Sequence, residues 1–226
     1  MAEEAEVAEY PMNVRLSGRR CLVIGGGAVA ERKIAALLAA GARVTVIAPG
    51  CGPGIAAWAA AGRIELLRRT YQPGDVTESG ALLVFAASGD AEANRRAAEE
   101  AERAGKLCNC ADDPAAGSFS LPASVRRGGL LIAVSTGGAS PSAARAIAAD
   151  IAGCYGEEYA AYVAFLSELR ERVLRELPDR EQRTRLLKEA AADEATALAA
   201  IREGAFEAYR QTALERLARP AGRAGD

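Results

Sequence analysis

Two kinds of residue in this chain could do chemistry: glycines spaced to admit a phosphate, and polar side chains that fall at the ends of apolar runs. The run Arg20-Cys21-Leu22-Val23-Ile24 is followed by Gly25-Gly26-Gly27-Ala28-Val29-Ala30. Gly25-x-Gly27-x-x-Ala30 fits the dinucleotide-binding spacing, with alanine in the last place. Gly25 permits a tight turn, Gly27 removes the side chain that would collide with a pyrophosphate, and Ala30 lets a helix pack closely on a strand. The unpaired N–H groups of the first helical turn would then face the anion. An ordinary strand-to-helix turn can carry the same glycines. Here Gly41-Ala42 closes the helix and Arg43-Val44-Thr45-Val46-Ile47 follows as a second β-branched strand, which completes a nucleotide-binding unit.

The acid that usually holds the adenosine ribose is missing: Ala48-Pro49-Gly50 stands where Asp or Glu would end the second strand. Backbone groups must therefore hold that ribose, or the cofactor choice is looser than usual. Arg32 and Lys33 could attract a 2′-phosphate, but on the first turns of a helix they read as solvated. Asn109 and Asp112-Asp113-Pro114 fall at the carboxyl-terminal end of the last apolar run of this region, where such sheets meet ligands. Taken alone, Asp112 reads first as an Asx turn or cap before Pro114, ahead of a catalytic carboxylate. A second glycine-rich turn, Thr136-Gly137-Gly138-Ala139-Ser140-Pro141, feeds another helix start, with Ser140 as N-cap and Pro141 at the first helical position. It suits either an anion or a simple cap.

The elements that must place these residues alternate. Strands are expected at 20–24, 43–47, 63–67, 81–86 and 107–110, with helices at 29–40, 55–61 and 91–104 between them, which calls for an α/β Rossmann-like, mostly parallel sheet with helices on both faces. From Ala116 the pattern changes to a small antiparallel β unit made of Ser118–Pro122, Ser124–Gly129 and Leu130–Thr136, then a helix from Ala143 to Ile151. Beyond Gly153 the chain reads as charged helices: Glu157 to Leu177 with a Tyr159, Tyr162, Val163, Leu166, Leu169, Val173 stripe that suits a bundle or dimer face, a helix begun by Pro178-Asp179, and a last one over Asp193 to Leu217. The expected domains are 1–115, nucleotide-binding; 116–150, β-rich; and 151–226, helical.

Half of the 226 residues are apolar, enough for a sizeable core, and the formal net charge of −2 gives no electrostatic case for nucleic acid. No apolar run is long enough to span a membrane. The acidic opening Met1-Ala2-Glu3-Glu4-Ala5-Glu6 is unlike a signal peptide, so a frayed tail on a cytoplasmic protein is expected, with a second loose tail at Pro220–Asp226. The five cysteines are odd in number and have no framework spacing, so reduced thiols are expected. Cys108 and Cys110 would share one strand face; with no histidine in the chain, core thiols are favoured over a metal pair.

Together, Val23-Ile24-Gly25-Gly26-Gly27-Ala28-Val29-Ala30-Glu31-Arg32-Lys33, the Leu38–Val46 segment, Cys108-Asn109-Cys110-Ala111-Asp112, Ser118-Phe119-Ser120-Leu121-Pro122 and Val134-Ser135-Thr136-Gly137-Gly138-Ala139-Ser140-Pro141 resemble the precorrin-2 dehydrogenase/sirohydrochlorin ferrochelatase family of sirohaem synthesis. The likeness runs from about Pro11 to Ile151. It implies NAD-dependent oxidation of precorrin-2 to sirohydrochlorin, with Fe²⁺ insertion in some members, by a homodimer that joins through a small β domain. It implies that Ala28, Val29, Pro49 and Gly50 line NAD with Gly25 and Gly27, that Asp112 is the key carboxylate, and that Thr136 is a hydroxyl near the tetrapyrrole, where other members have serine. Asn109, Gly137, Ser140 and the arginines 126, 127 and 145 are then candidates for the carboxylate-rich substrate, and no resident metal is expected. Two departures stand out: Cys110-Ala111 replaces bulkier aliphatics before Asp112, and no fused methyltransferase domain is expected after Asp226. The rival reading is a non-catalytic NAD-sensing module whose helical tail meets a partner, favoured by the missing ribose acid.

Overall fold

The computed structural model describes residues 9–218; the tails expected at Met1–Glu6 and Pro220–Asp226 lie outside them. The chain divides into two compact units, one ending at Leu121 and the other beginning at Pro122. The first unit runs β1 (Arg20–Ile24), α1 (Ala28–Ala39), β2 (Arg43–Ile47), α2 (Pro53–Ala60), β3 (Ile64–Leu67), α3 (Asp75–Glu78), β4 (Leu83–Ala86), α4 (Ala91–Arg103), β5 (Leu107–Cys110) and a 3₁₀ turn at Pro114–Ala116. All four pairings are parallel, in the order β3-β2-β1-β4-β5. The chain works outward from β1 through β2 and β3, then crosses to build β4 on the other side of β1. The carboxyl ends of β1 and β4 therefore border the crevice where the winding reverses, the place such sheets offer to ligands.

Period-two alternation assigns the two faces. Cys21, Val23, Val44, Val46, Leu83 and Phe85 pack against Ala30, Ile34 and Leu37 of α1 and Ile55 of α2. Leu22, Ile24, Ile47, Val84, Ala86, Cys108 and Cys110 pack against Val76 of α3 and Ala97, Ala98 and Ala101 of α4. The β-branched runs are apolar at successive positions because the central strands are covered on both sides. Cys108 and Cys110 share one face as expected, and all five cysteines are free.

The second unit contains the antiparallel hairpin β6 (Ala123–Arg127) and β7 (Leu130–Val134), then α5 (Pro141–Cys154), α6 (Glu158–Glu176), α7 (Arg180–Ala192), α8 (Glu194–Arg202) and α9 (Phe206–Ala218). Three sequence expectations need correction. Ser118–Pro122 is not a strand of this hairpin: Ser118 lies beside β5, its N–H donating to Cys108 O at 2.8 Å while its Oγ accepts from Cys108 N at 2.8 Å. The helix expected over 193–217 is two helices, because Gly204 with φ 73° ends α8. Arg127 is no free cation, since its guanidinium donates to Tyr155 O at 3.0 Å and Ala152 O at 3.3 Å and closes the carbonyl end of α5. The Tyr162, Leu169, Val173 stripe of α6 is buried against Ala197 and Leu198 of α8, so it serves bundle packing. The split after Leu121 lies slightly beyond the expected boundary at 115/116, and the hairpin shares its unit with the helices because β6 packs on α5 and α6. No helix among the described residues is long and apolar enough to cross a membrane.

One buried charge braces the β3–β4 crossover. The Glu100 carboxylate on α4, 6% exposed, accepts from the Tyr71 hydroxyl at 2.5 Å, Gly74 N at 3.1 Å, Thr77 N at 2.7 Å and Thr77 Oγ1 at 2.8 Å. Burial alone would raise its pKa, yet these donors, Tyr71 first, hold it below the ordinary glutamate value. A carboxyl lowered on folding adds stability above its unfolded pKa, and that stability is lost as pH falls through the lowered value. Glu100→Ala should cost about 2–4 kcal/mol by leaving buried donors unpaired. Glu100→Gln should flatten the loss of urea stability between neutral and acid pH; an unchanged acid slope would exclude this role for Glu100.

Candidate active site at the strand ends

The glycines after β1 do different work. Gly25 is buried at φ 126°, and a Cβ there would overlap the Ala87 carbonyl oxygen and lie 2.8 Å from Ser88 N. Gly26, the middle glycine, is closed off on the other side: a Cβ would overlap the Gly50 carbonyl oxygen and lie 2.9 Å from Cys51 Cα, while Gly52 N donates to Gly26 O at 2.9 Å. A Cβ on Gly27 or on Gly50 meets nothing within 4 Å. So residues 25 and 26 are bare because backbone from the ends of β4 and β2 closes on them, and the space beyond Gly27 stays open for a ligand. That division fits a bound dinucleotide. Gly27 is the N-cap of α1 and no side chain caps the helix, so its first-turn N–H groups are left to an anion.

Ala28 and Val29 are exposed on that first turn, Ala30 is fully buried on the sheet, and Pro49 and Gly50 are exposed in the loop after β2. The contact of Gly26 with Gly50 brings Gly25, Gly27, Ala28, Val29, Pro49 and Gly50 together around one opening. Ala48, where a ribose acid would stand, is buried at 2% exposure.

Lys33 was expected in solvent and is not there. It crosses the β4–β5 edge, its Nζ 5.5 Å from the Phe85 ring centroid and donating to Asn109 Oδ1 at 2.5 Å. Burial first, then the neighbouring Arg32 charge, lowers its pKa. Asn109 is 9% exposed, and its Nδ2 donates to Phe119 O at 3.0 Å. Both ends of the Asn109 amide are thus engaged within the chain, tying α1 to the 117–121 segment, and Phe119 meets Phe85 edge-on with centroids 5.6 Å apart. A helical lysine two residues past a glutamate gives no sequence sign of this. Only the sheet order brings β5 within reach of a lysine on α1.

Asp112 follows β5 and is exposed. The Cys110 thiol lies 3.2 Å from its Oδ1. A hydrogen bond from the Asn94 amide, with a smaller one from Cys110, holds its carboxyl below the ordinary aspartate value. It is a carboxylate at neutral pH, open to solvent and able to accept a proton or a hydrogen bond. Asp113 takes the capping role, its Oδ1 accepting from Ala115 N at 3.1 Å, which releases Asp112 from the Asx-turn alternative. Asn94 is fully buried, accepting from Ser88 N at 3.0 Å and donating to Ser88 O at 3.1 Å. Sequence reasoning missed it. The signal was there: Asn94, Ala97, Ala98 and Ala101 form the buried stripe of α4, and a lone amide among alanines needs a polar partner.

In the second unit, Ser140 Oγ accepts from Ala143 N at 3.1 Å and caps α5, Thr136 Oγ1 accepts from Ser140 N at 3.0 Å, and Gly137 N donates to Ser135 Oγ at 3.2 Å. The Thr136 and Ser140 oxygens act here as acceptors, so each hydroxyl hydrogen remains for another partner. Arg145 and Arg126 are exposed. Among the described residues no group of three or more His, Cys, Asp or Glu side chains is placed to hold a metal ion.

The Gly26–Gly50 approach makes a direct test. Gly26→Ala must push the 48–52 loop away, so NAD should bind at least about tenfold more weakly by calorimetry, a loss of about 1.4 kcal/mol. A Kd within twofold of the parent would show that the loop does not matter for the cofactor.

Residues 12–123 match the NAD(P)-binding family model NAD_binding_7. The chain is 39% identical over 173 residues to a siroheme synthase of Methylobacillus flagellatus, covering 76% of this chain and 37% of the relative. It is 39% identical over 176 residues to a siroheme synthase of Chromobacterium violaceum, covering 78% of this chain and again 37% of the relative. It thus spans 37% of the length of these two curated relatives. Among solved structures, SirC, a precorrin-2 dehydrogenase, superposes with TM-score 0.75 at 30% identity, covering 92% of this chain and 100% of that one. With its parallel sheet and open dinucleotide turn, the chain belongs to the precorrin-2 dehydrogenase family that the siroheme synthases share.

Proposed function

We propose that this chain oxidises precorrin-2 to sirohydrochlorin with NAD⁺, using Asp112 as the proton acceptor. The observation that carries the reading is one exposed carboxylate, held by the Cys110 thiol, on the same sheet edge as the open space beyond Gly27. When bound, NAD⁺ supplies the hydride acceptor. The first turn of α1, at Gly27, Ala28 and Val29, would offer N–H groups to the pyrophosphate, and backbone of the Pro49–Gly50 loop would hold the adenosine ribose. Dehydrogenation removes a hydride and a proton from neighbouring atoms of the macrocycle. Loss of the hydride makes the adjacent proton acidic, so a carboxylate of low basicity such as Asp112 is a sufficient acceptor.

The substrate carries many carboxylates, and the second unit offers donors for them in the hydroxyls of Thr136 and Ser140, the turn at Gly137 and the exposed Arg126 and Arg145. Asn109 supports the site from beneath, its amide being engaged by Lys33 and Phe119. Free cysteines suit a cytoplasmic setting. A homodimer through the hairpin and α5 is supported by exposed Leu131 on β7 at 39% and Ile147 on α5 at 45%, and by the unpaired edges of a two-stranded sheet.

Asp112→Asn should lower the rate of sirohydrochlorin formation, followed by absorbance, by about 100-fold or more while leaving the NAD Kd unchanged. A parental rate would remove Asp112 from the mechanism. For the dimer, Leu131→Lys should halve the mass in solution by light scattering; an unchanged mass would place the subunit contact elsewhere.

A further inference from the structure

We propose that Cys110 is a positioning residue for the reaction, orienting the Asp112 carboxylate by a thiol hydrogen bond from the end of β5. The inference rests on the reading of Asp112 as proton acceptor.

Cys110 is the last residue of β5, 3% exposed, with Sγ 3.2 Å from Asp112 Oδ1. A carboxylate cannot donate, so the thiol is the donor. Burial first, and the Asp112 hydrogen bond second, raise the thiol's pKa and keep its hydrogen in place. Asn94 approaches from α4. Its amide has one acceptor and two donor hydrogens. The oxygen accepts from Ser88 N and the amide donates to Ser88 O, and the same amide is the first cause of the lowered Asp112 pKa.

Ser88 N is also the group that a side chain on Gly25 would strike. Asn94 therefore binds the wall of the dinucleotide turn, and its amide favours the charged form of Asp112. Asp113 beside it is engaged with Ala115 N, and Lys33 on α1 with Asn109 Oδ1. Neither replaces the two donors.

The sign follows from which protonation state the donors favour. Both stabilise the carboxylate, so both hold the acid limb of kcat at low pH, and removing one must move that limb upward. In the full chain, Cys110→Ala should shift the acid limb of kcat for precorrin-2 oxidation up by about 0.5–1 pH unit, with the NAD Kd within about twofold of the parent. Cys110→Ser, whose hydroxyl can donate, should restore the parental limb. A packing role alone predicts superimposable pH profiles for parent and Cys110→Ala, and that result would overturn the inference. So would Cys110→Ser behaving like alanine. Asn94→Ala should move the limb the same way; where it fails to fold, the Cys110 pair decides. Asp112→Asn is the control that separates the two claims: if it oxidises at the parental rate, the reading of Asp112 fails, and if it is inactive while Cys110→Ala leaves the limb in place, only the present inference fails.

Discussion

The molecule depends on a close approach of backbone to backbone at residues 25 and 26. The β1–α1 turn passes between the end of β4, whose Ala87 carbonyl and Ser88 N–H border Gly25, and the loop after β2, whose Gly50 carbonyl and Cys51 Cα border Gly26. A methyl group at either place would force apart two of the segments that form the rim of the crevice. Because neither position can carry a side chain, the ends of β1, β2 and β4 converge, and the N-terminus of α1 is left bare at the point where they meet. The open space beyond Gly27 is a consequence of that convergence. An anion bound there would use donors that the helix cannot satisfy by itself.

The rest of the first unit keeps this rim in register by satisfying polar groups inside it. Asn94 locks the Ser88 backbone in both directions, Glu100 gathers four donors from the β3–β4 crossover, and Lys33 with Asn109 fastens α1 to the segment that leaves β5. Among the described residues no buried side-chain nitrogen or oxygen lacks a partner. Such groups are costly to bury alone and specific when paired, so each one fixes a loop that apolar packing would leave free to slide. Arg127 does the same in the second unit by closing the end of α5.

Much of this was legible in the amino-acid order. The β-branched runs and the glycines that end helices determined a five-stranded alternation, and the spacing of Gly25, Gly27 and Ala30 determined where a dinucleotide would lie. These are local signals: backbone preference, periodicity and the absence of a side chain act within a few residues. The resemblance added Asp112, whose neighbours in sequence had argued for a turn. The structure gave that turn role to Asp113 and left Asp112 exposed and hydrogen-bonded.

What the tertiary structure decided were the partnerships between distant residues. Nothing near Lys33 in sequence announces that it reaches Asn109, and nothing near Gly26 announces Gly50; both follow from the order β3-β2-β1-β4-β5 and from the loops it brings side by side. Arg127 looked like a candidate for binding anions and became a helix cap for the same reason. Sequence by itself determined which segments form strands, helices and tight turns, because those choices are paid for locally. Which polar side chain meets which was left to the fold, since burial removes water as the competing partner only once the elements have packed.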